Sequence, residues 1–152
     1  MIKVVIPHEQ RRRLEHALTD AGSTEIGGIL MGEHVSENTF HVVDLTVQRQ
    51  GRSASFWRLL ESALRALDHF FNRTSHNYKR FNYLGEWHSH PSFELCPSTQ
   101  DELSIHDILD DPTVGARFVV LMIVKKEQGE LRSNAWTYIS GHRKLPTSLE
   151  FM

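Results

Sequence analysis

The apolar positions of this chain change rhythm several times, and each change marks an element. Ile2 to Ile6 is a β-branched run that reads as a buried strand. After Pro7 the period lengthens. Leu14, Ala17, Leu18 and Ala21 recur at i, i+3, i+4 and i+7, which predicts a helix from about Pro7 to Ala21 with Gly22 as its stop. Thr24 to Gly32 returns to strand character but is punctuated by glycines. A glycine inside a strand marks a bulge or a close approach, so Gly27 and Gly28 leave room either for a crossing strand or for a ligand lying alongside. His34 to Asn38 reads as a polar turn, and Thr39 to Val47 as the second strand of a hairpin.

Gln48 to Ser55 is polar and reads as a loop. The broadest apolar face follows, on a helix from Phe56 to about Phe71 that carries Leu59, Leu60, Ala63, Leu64, Leu67 and Phe70. A polar connector, Asn72 to Asn82, overlaps the start of a strand at Phe81 that runs into Trp87. A helix is expected from Ser98 to about Leu109, stopping near Asp111-Pro112. Ala116 to Val124 is apolar almost without interruption, as in a strand covered on both faces. Lys125 to Gly129 turns the chain into a strand from Leu131 to Ile139, and the residues from Gly141, 142–152 in particular, read as a short tail. The resulting order, β, α, β, β, α, β, α, β, β, is a mixed α/β (α+β) layout with a curved sheet between helices.

A length of 152 residues suits one domain with a sizeable core. The formal net charge of −2 and the lack of a long basic run argue against nucleic acid as the default partner, and Arg11-Arg12-Arg13 reads as a solvated helix face. Cys96 is the only cysteine, so no internal disulfide can form, and it is expected as a small buried loop residue. The early charge at Lys3 does not suit a signal peptide, and no apolar run is long enough to span a bilayer. The expectation is a cytoplasmic, membrane-free protein.

The chemistry concentrates between Gly85 and Asp101. His88 and His90, one residue apart on an extended strand, project to the same side, whereas Ser89 and Trp87 face away. Glu86 shares the histidine face, within reach of a direct or outer contact. Ser98-x-x-Asp101 has the form of a helix N-terminus, and its two residues are fully explained by capping alone. If the loop between Pro91 and Pro97 folds back, Asp101 also becomes a third metal ligand. Three N/O ligands leave one tetrahedral position open, which is the arrangement of catalytic zinc. His106 and Asp107 fall off the helical face of Asp101 and read as surface or packing groups.

The spacing His-x-His, seven residues, Ser, two residues, Asp resembles the motif of the JAMM metalloproteases of the MPN fold. Glu25-Ile26-Gly27-Gly28-Ile29-Leu30-Met31-Gly32 resembles that family's upstream glutamate segment. The resemblance covers nearly the whole chain and implies an MPN fold related to cytidine deaminases. It implies one Zn2+ ion held by His88, His90 and Asp101, with Glu25 as general base and Ser98 as the hydroxyl that holds the carbonyl oxygen. The implied activity is hydrolysis of the peptide or isopeptide bond after the C-terminal glycine of a ubiquitin or ubiquitin-like protein, as in the stand-alone prokaryotic JAB type. A metallopeptidase for small peptides or amino-acid conjugates, and a non-catalytic MPN scaffold, are the other readings the same resemblance allows.

Overall fold

The computed structural model describes residues 1–49, 56–92, 94–141 and 143–152, and the side chains of Phe56 and Trp57 lie outside that description. The elements in chain order are β1 (Lys3–Ile6), α1 (His8–Ala21), β2 (Ile26–Ser36), β3 (Thr39–Leu45) and β4 (Gln48–Arg49). Then come α2 (Phe56–Ser62), α3 (Leu64–Arg73), β5 (Phe81–Ser89), α4 (Thr99–Asp110), β6 (Phe118–Glu127), β7 (Glu130–Ile139), β8 (Arg143–Pro146) and β9 (Ser148–Phe151).

The strands form one mixed sheet in the order β8-β7-β6-β5-β2-β3-β1-β9, with β4 added to β2. Pairs β5·β6, β1·β3 and β1·β9 are parallel, and the other pairs are antiparallel. β8 and β9 lie at opposite ends of this order, yet only Thr147 separates them in the chain. The two edges of the sheet therefore come round to each other, and the sheet is curved and nearly closed. Thr147 holds the junction by donating its N–H to the Ala135 carbonyl (3.1 Å) and pairing its hydroxyl with that of Thr137 (2.5 Å).

Alternation along the strands divides the interior in two. Val119, Leu121 and Ile123 of β6 face α2, α3 and α4, where they meet Leu67, Phe70, Ile105 and Ile108. Val120, Met122 and Val124 face the side covered by α1, with Leu14, Leu18, Leu30 and Trp87. The unbroken apolar run of β6 is the sequence's own statement of a strand covered on both faces.

Three expectations are corrected and one open reading is decided. The segment after Gly141 is not a tail: β8 and β9 complete the sheet, and Leu149 and Phe151 alternate onto the α1-side core with Ser148 and Glu150 outward. His142 lies outside the described residues, as does the 50–55 part of the expected polar loop. Gln48 and Arg49, assigned to that loop, instead pair with Ile26 and Gly27. The helix from Phe56 is broken at Ala63 (φ −97°, ψ 2°). The Leu59 carbonyl there accepts the Ala63 N–H, the Ser62 hydroxyl and the Gln48 side-chain amide, each at 3.1 Å, and side chains inserted into the ladder interrupt a helix. Of the two readings for the strand glycines, Gly28 takes the strand crossing: a Cβ there would sit 1.9 Å from the Thr46 carbonyl oxygen.

A bulge in β5 decides what faces the helices. Leu30 pairs with Gly85 and Met31 with Tyr83, so Leu84 is an extra residue in the ladder. Residues three apart in a regular strand point to opposite faces. The extra residue returns Tyr83 and Glu86 to one face, and the Tyr83 hydroxyl donates to Glu86 Oε2 at 2.6 Å. The bulge depends on Gly85, where a Cβ would lie 1.9 Å from the Val120 carbonyl oxygen of β6. Gly85→Ala is expected to destabilise the protein by about 3 kcal/mol, the upper range for overpacking. Urea unfolding at unchanged m-value measures it, and a loss below about 0.5 kcal/mol, the usual size of a neutral surface change, would show that β5 and β6 do not approach this closely.

Candidate metal centre

β5 delivers the two histidines. His88 and His90 are 4% and 6% exposed, with ring centroids 4.9 Å apart and planes nearly perpendicular. Ser89, between them and fully buried, faces the other way and accepts the Ile26 N–H at 2.9 Å. That bond ties the start of β2 to the end of β5. Glu25, the residue just before β2, is thereby carried to the histidines, with Oε2 at 3.6 Å from His88 Nε2 and its side chain 37% exposed.

His90 lies just past the strand and is fixed from two sides. Its backbone N–H donates to the Val124 carbonyl (3.0 Å), and its Nδ1 lies 2.9 Å from the Glu94 carbonyl. A carbonyl oxygen can only accept, so Nδ1 carries a hydrogen and Nε2 is the nitrogen presented to Asp101, 3.3 Å from Oδ2. Asp101 is held by a capping box at the start of α4. Its N–H donates to Ser98 Oγ (3.0 Å), and the Ser98 N–H donates to its Oδ2 (2.9 Å). Helix capping and site formation thus use the same two residues, and the Ser98 hydroxyl retains its own hydrogen for an outward acceptor.

His88, His90 and Asp101 each present one ligand atom, and these atoms all lie within 4.8 Å of one another. Burial lowers the His88 pKa to about 4, against the pull of Asp101 and with the help of His90, so its imidazole is neutral at pH 7. Burial also opposes the charged form of His90, but the Asp101 hydrogen bond and the Glu94 carbonyl outweigh it and raise the pKa. For Asp101, burial is outweighed by the His90 and Ser98 hydrogen bonds, and the pKa falls. Two imidazoles and one ionised carboxylate at this spacing fit a first-row divalent cation that prefers N/O donors, zinc among them.

The neighbouring residues separate cleanly. Glu86 is fully buried and its carboxyl is pushed up by burial; its bond is to Tyr83, and it is not part of the ligand cluster. Trp87 is core, as expected, and its indole N–H donates to the Thr46 carbonyl (2.8 Å). His106 packs edge-on against Tyr138, and Asp107 is exposed. Cys96, expected to be buried, is exposed: Leu95 takes the inward position against the core, its carbonyl accepting from Asn134 (3.1 Å), and the adjacent Cys96 is turned outward. Phe93 lies outside the described residues. The Ser89, Glu94 and Asn134 contacts had no sequence signal, because each depends on which strands and loops become neighbours.

Among the described residues, no helix is long and apolar enough to cross a membrane. No curated protein matches the sequence. The fold is similar to the solution structure of a protein from Desulfitobacterium hafniense, at TM-score 0.62 and 15% identity, covering 98% of this chain and 94% of the other. It is also similar to the solution structure of a protein from Salinibacter ruber, at TM-score 0.58 and 16% identity, covering 99% and 92% respectively. The family profile described as prokaryotic homologs of the JAB domain matches residues 7–138, a span that contains both strand ends, the capped helix and all the residues of the cluster. The chain belongs to the prokaryotic JAB-domain family.

Proposed function

We propose that this protein is a zinc-dependent peptidase that hydrolyses the amide bond after the C-terminal glycine of a ubiquitin-like protein. The observation that carries the reading is the buried His88-His90-Asp101 group with the Glu25 carboxylate at its edge, 3.6 Å from His88 Nε2. His88, His90 and Asp101 hold the ion, which when bound supplies a Lewis acid and brings the pKa of water to near 7. Glu25 takes a proton from the attacking water as its oxygen bonds to the carbonyl carbon, then gives that proton to the amine as the C–N bond breaks. The partial exposure of Glu25 suits a group that must meet both water and substrate. Ser98, placed as the N-cap of α4, directs its hydroxyl hydrogen to the carbonyl oxygen where negative charge develops. No covalent enzyme intermediate is required.

The substrate class comes from the resemblance of the two motifs to JAMM enzymes, in which an extended C-terminal tail binds beside the metal. Backbone pairing with such a tail gives affinity without reading side chains. Cys96 has no part in the mechanism, since its sulfur is exposed on the connecting loop outside the cluster.

Purified protein is expected to bind one equivalent of zinc. His90→Ala loses the metal and the activity together. Glu25→Gln keeps the metal and lowers turnover by about 10²–10⁴-fold, the usual worth of a general base. Equal zinc loss in both variants would make Glu25 a ligand instead. Glu25→Ala protein used as bait in its own lysate should retain a small protein joined through its C-terminal glycine to a second protein, above a His90→Ala control. Cleavage of small peptides by the native protein, with nothing retained on the bait, would replace the substrate class while leaving the chemistry.

Proton linkage gives a second expectation, for protein stripped of metal. His88, depressed to about 4 by burial, contributes stability that is present above its unfolded value near 6.5 and lost as pH falls toward 4. His90, raised by Asp101 and Glu94, contributes stability present below 6.5 and lost as pH rises through its higher value. The stripped protein should be most stable near pH 6.5, and His88→Gln should flatten the acid limb by up to about 3 kcal/mol. Urea midpoints from pH 4 to 9 in chelator test this, and a monotonic profile contradicts the assignment.

A further inference from the structure

At the far end of β5 from the histidines lies a groove of about 800 Å³, within the range of cavities that hold drug-sized molecules. Its floor includes Tyr83 and Phe118, near the starts of β5 and β6; one wall is Leu64, Leu67 and Phe71 of α3, and the other includes Val114 before β6. Tyr83 precedes His88 by five strand residues, about 16 Å at 3.3 Å per residue. The groove is therefore separate from the metal centre.

Leu64 is 54% exposed and Tyr78, on the same rim, is 51% exposed. Single exposed apolar residues are ordinary, but two bordering a cavity of this size describe an apolar interior open to solvent. The charges around it are of one predominant sign. Lys79, Arg80 and Arg117 line the groove, with Glu61 as the acid. Arg80 is paired to Glu33 at 2.7 Å, whereas Lys79 and Arg117 make no side-chain hydrogen bond or ion pair among the described residues. Lys79 and Arg117, outside any described ion pair and against the single acid Glu61, leave the lining of this apolar groove net positive, which complements a molecule with an apolar body and an anionic head.

We propose that this groove is a second binding site, for a small amphiphilic anion whose apolar body lies against Tyr83, Leu67 and Phe71 and whose head meets Lys79 and Arg117. The test is amide-resolved NMR of the full chain titrated, below micelle-forming concentrations, with dodecanoate, dodecyltrimethylammonium and dodecanol. Dodecanoate should shift Leu64, Tyr83, Val114 and Gly115 and bind at least tenfold more tightly than the cation. Reversing the mouth with Lys79→Glu and Arg117→Glu should invert that order, and both residues are exposed enough to change without unfolding the chain. Ala116→Trp, which puts a ring into the cavity, should abolish binding of both while leaving zinc stoichiometry unchanged. Equal affinity for all three probes, or shifts spread outside the groove, would overturn the proposal. So would movement of the same amides with protein concentration alone, which would give the groove to a second copy of the chain.

Discussion

Strand β5 has no freedom to slip, and the candidate site depends on that. A shift of one residue would exchange its faces, sending Trp87 and Ser89 toward the helices and Glu86 and His88 toward α1. Three contacts oppose the shift, each on a different partner. Gly85 lies against the Val120 carbonyl, Trp87 donates to the Thr46 carbonyl, and Ser89 accepts the Ile26 N–H. The first fixes β5 to β6, the second to the crossing after β3, and the third to the start of β2. Only with all three in place do two histidines from one strand, a glutamate from the next and an aspartate from a distant helix fall within a few ångströms.

The candidate ligand residues are positioned by atoms outside the cluster. Asp101 Oδ2 receives the Ser98 N–H, and His90 Nδ1 is turned by the Glu94 carbonyl. Side chains held in this way lose little freedom when an ion arrives, which is what outer hydrogen bonds contribute to a metal site. The cost is borne by the metal-free protein. Burying an imidazole and a carboxylate is unfavourable unless they pair, and the His90–Asp101 contact at 3.3 Å supplies that pairing.

Local signals were legible in the sequence and distant ones were not. The His-x-His spacing, the Ser98–Asp101 capping box and the continuous burial of β6 each follow from residues within one element, and each appears in the structure as read. The exposure of Cys96 could not be read, because it turns on Leu95 winning a core contact made by other elements. At the break at Ala63 the Leu59 carbonyl also meets Gln48, fifteen residues upstream of Ala63, a contact that no local pattern shows. β8 and β9 were hidden for a similar reason: four-residue strands carry a weak periodic signal, and their partners are β7 next to one and β1 at the other end of the chain. The reading of Gly28 likewise waited on Thr46, whose carbonyl occupies the space that glycine leaves.

The charge balance of the centre follows from burial more than from composition. Glu25 and Asp101 lie at the centre and Glu86 precedes His88 by two residues on the same strand face; ionised together, three carboxylates so placed would repel one another. The fold separates them by environment. Glu86, fully buried with a tyrosine hydroxyl as its bonded partner, is pushed toward its neutral form. Asp101 is held ionised by His90 and the Ser98 N–H, and Glu25 is left partly in solvent. Under the proposed reading, one buried carboxylate charge against a divalent cation would leave the site net positive, the character a Lewis acid needs. The bulge at Leu84-Gly85, by bringing Tyr83 over Glu86, gives that buried carboxyl its bonded partner.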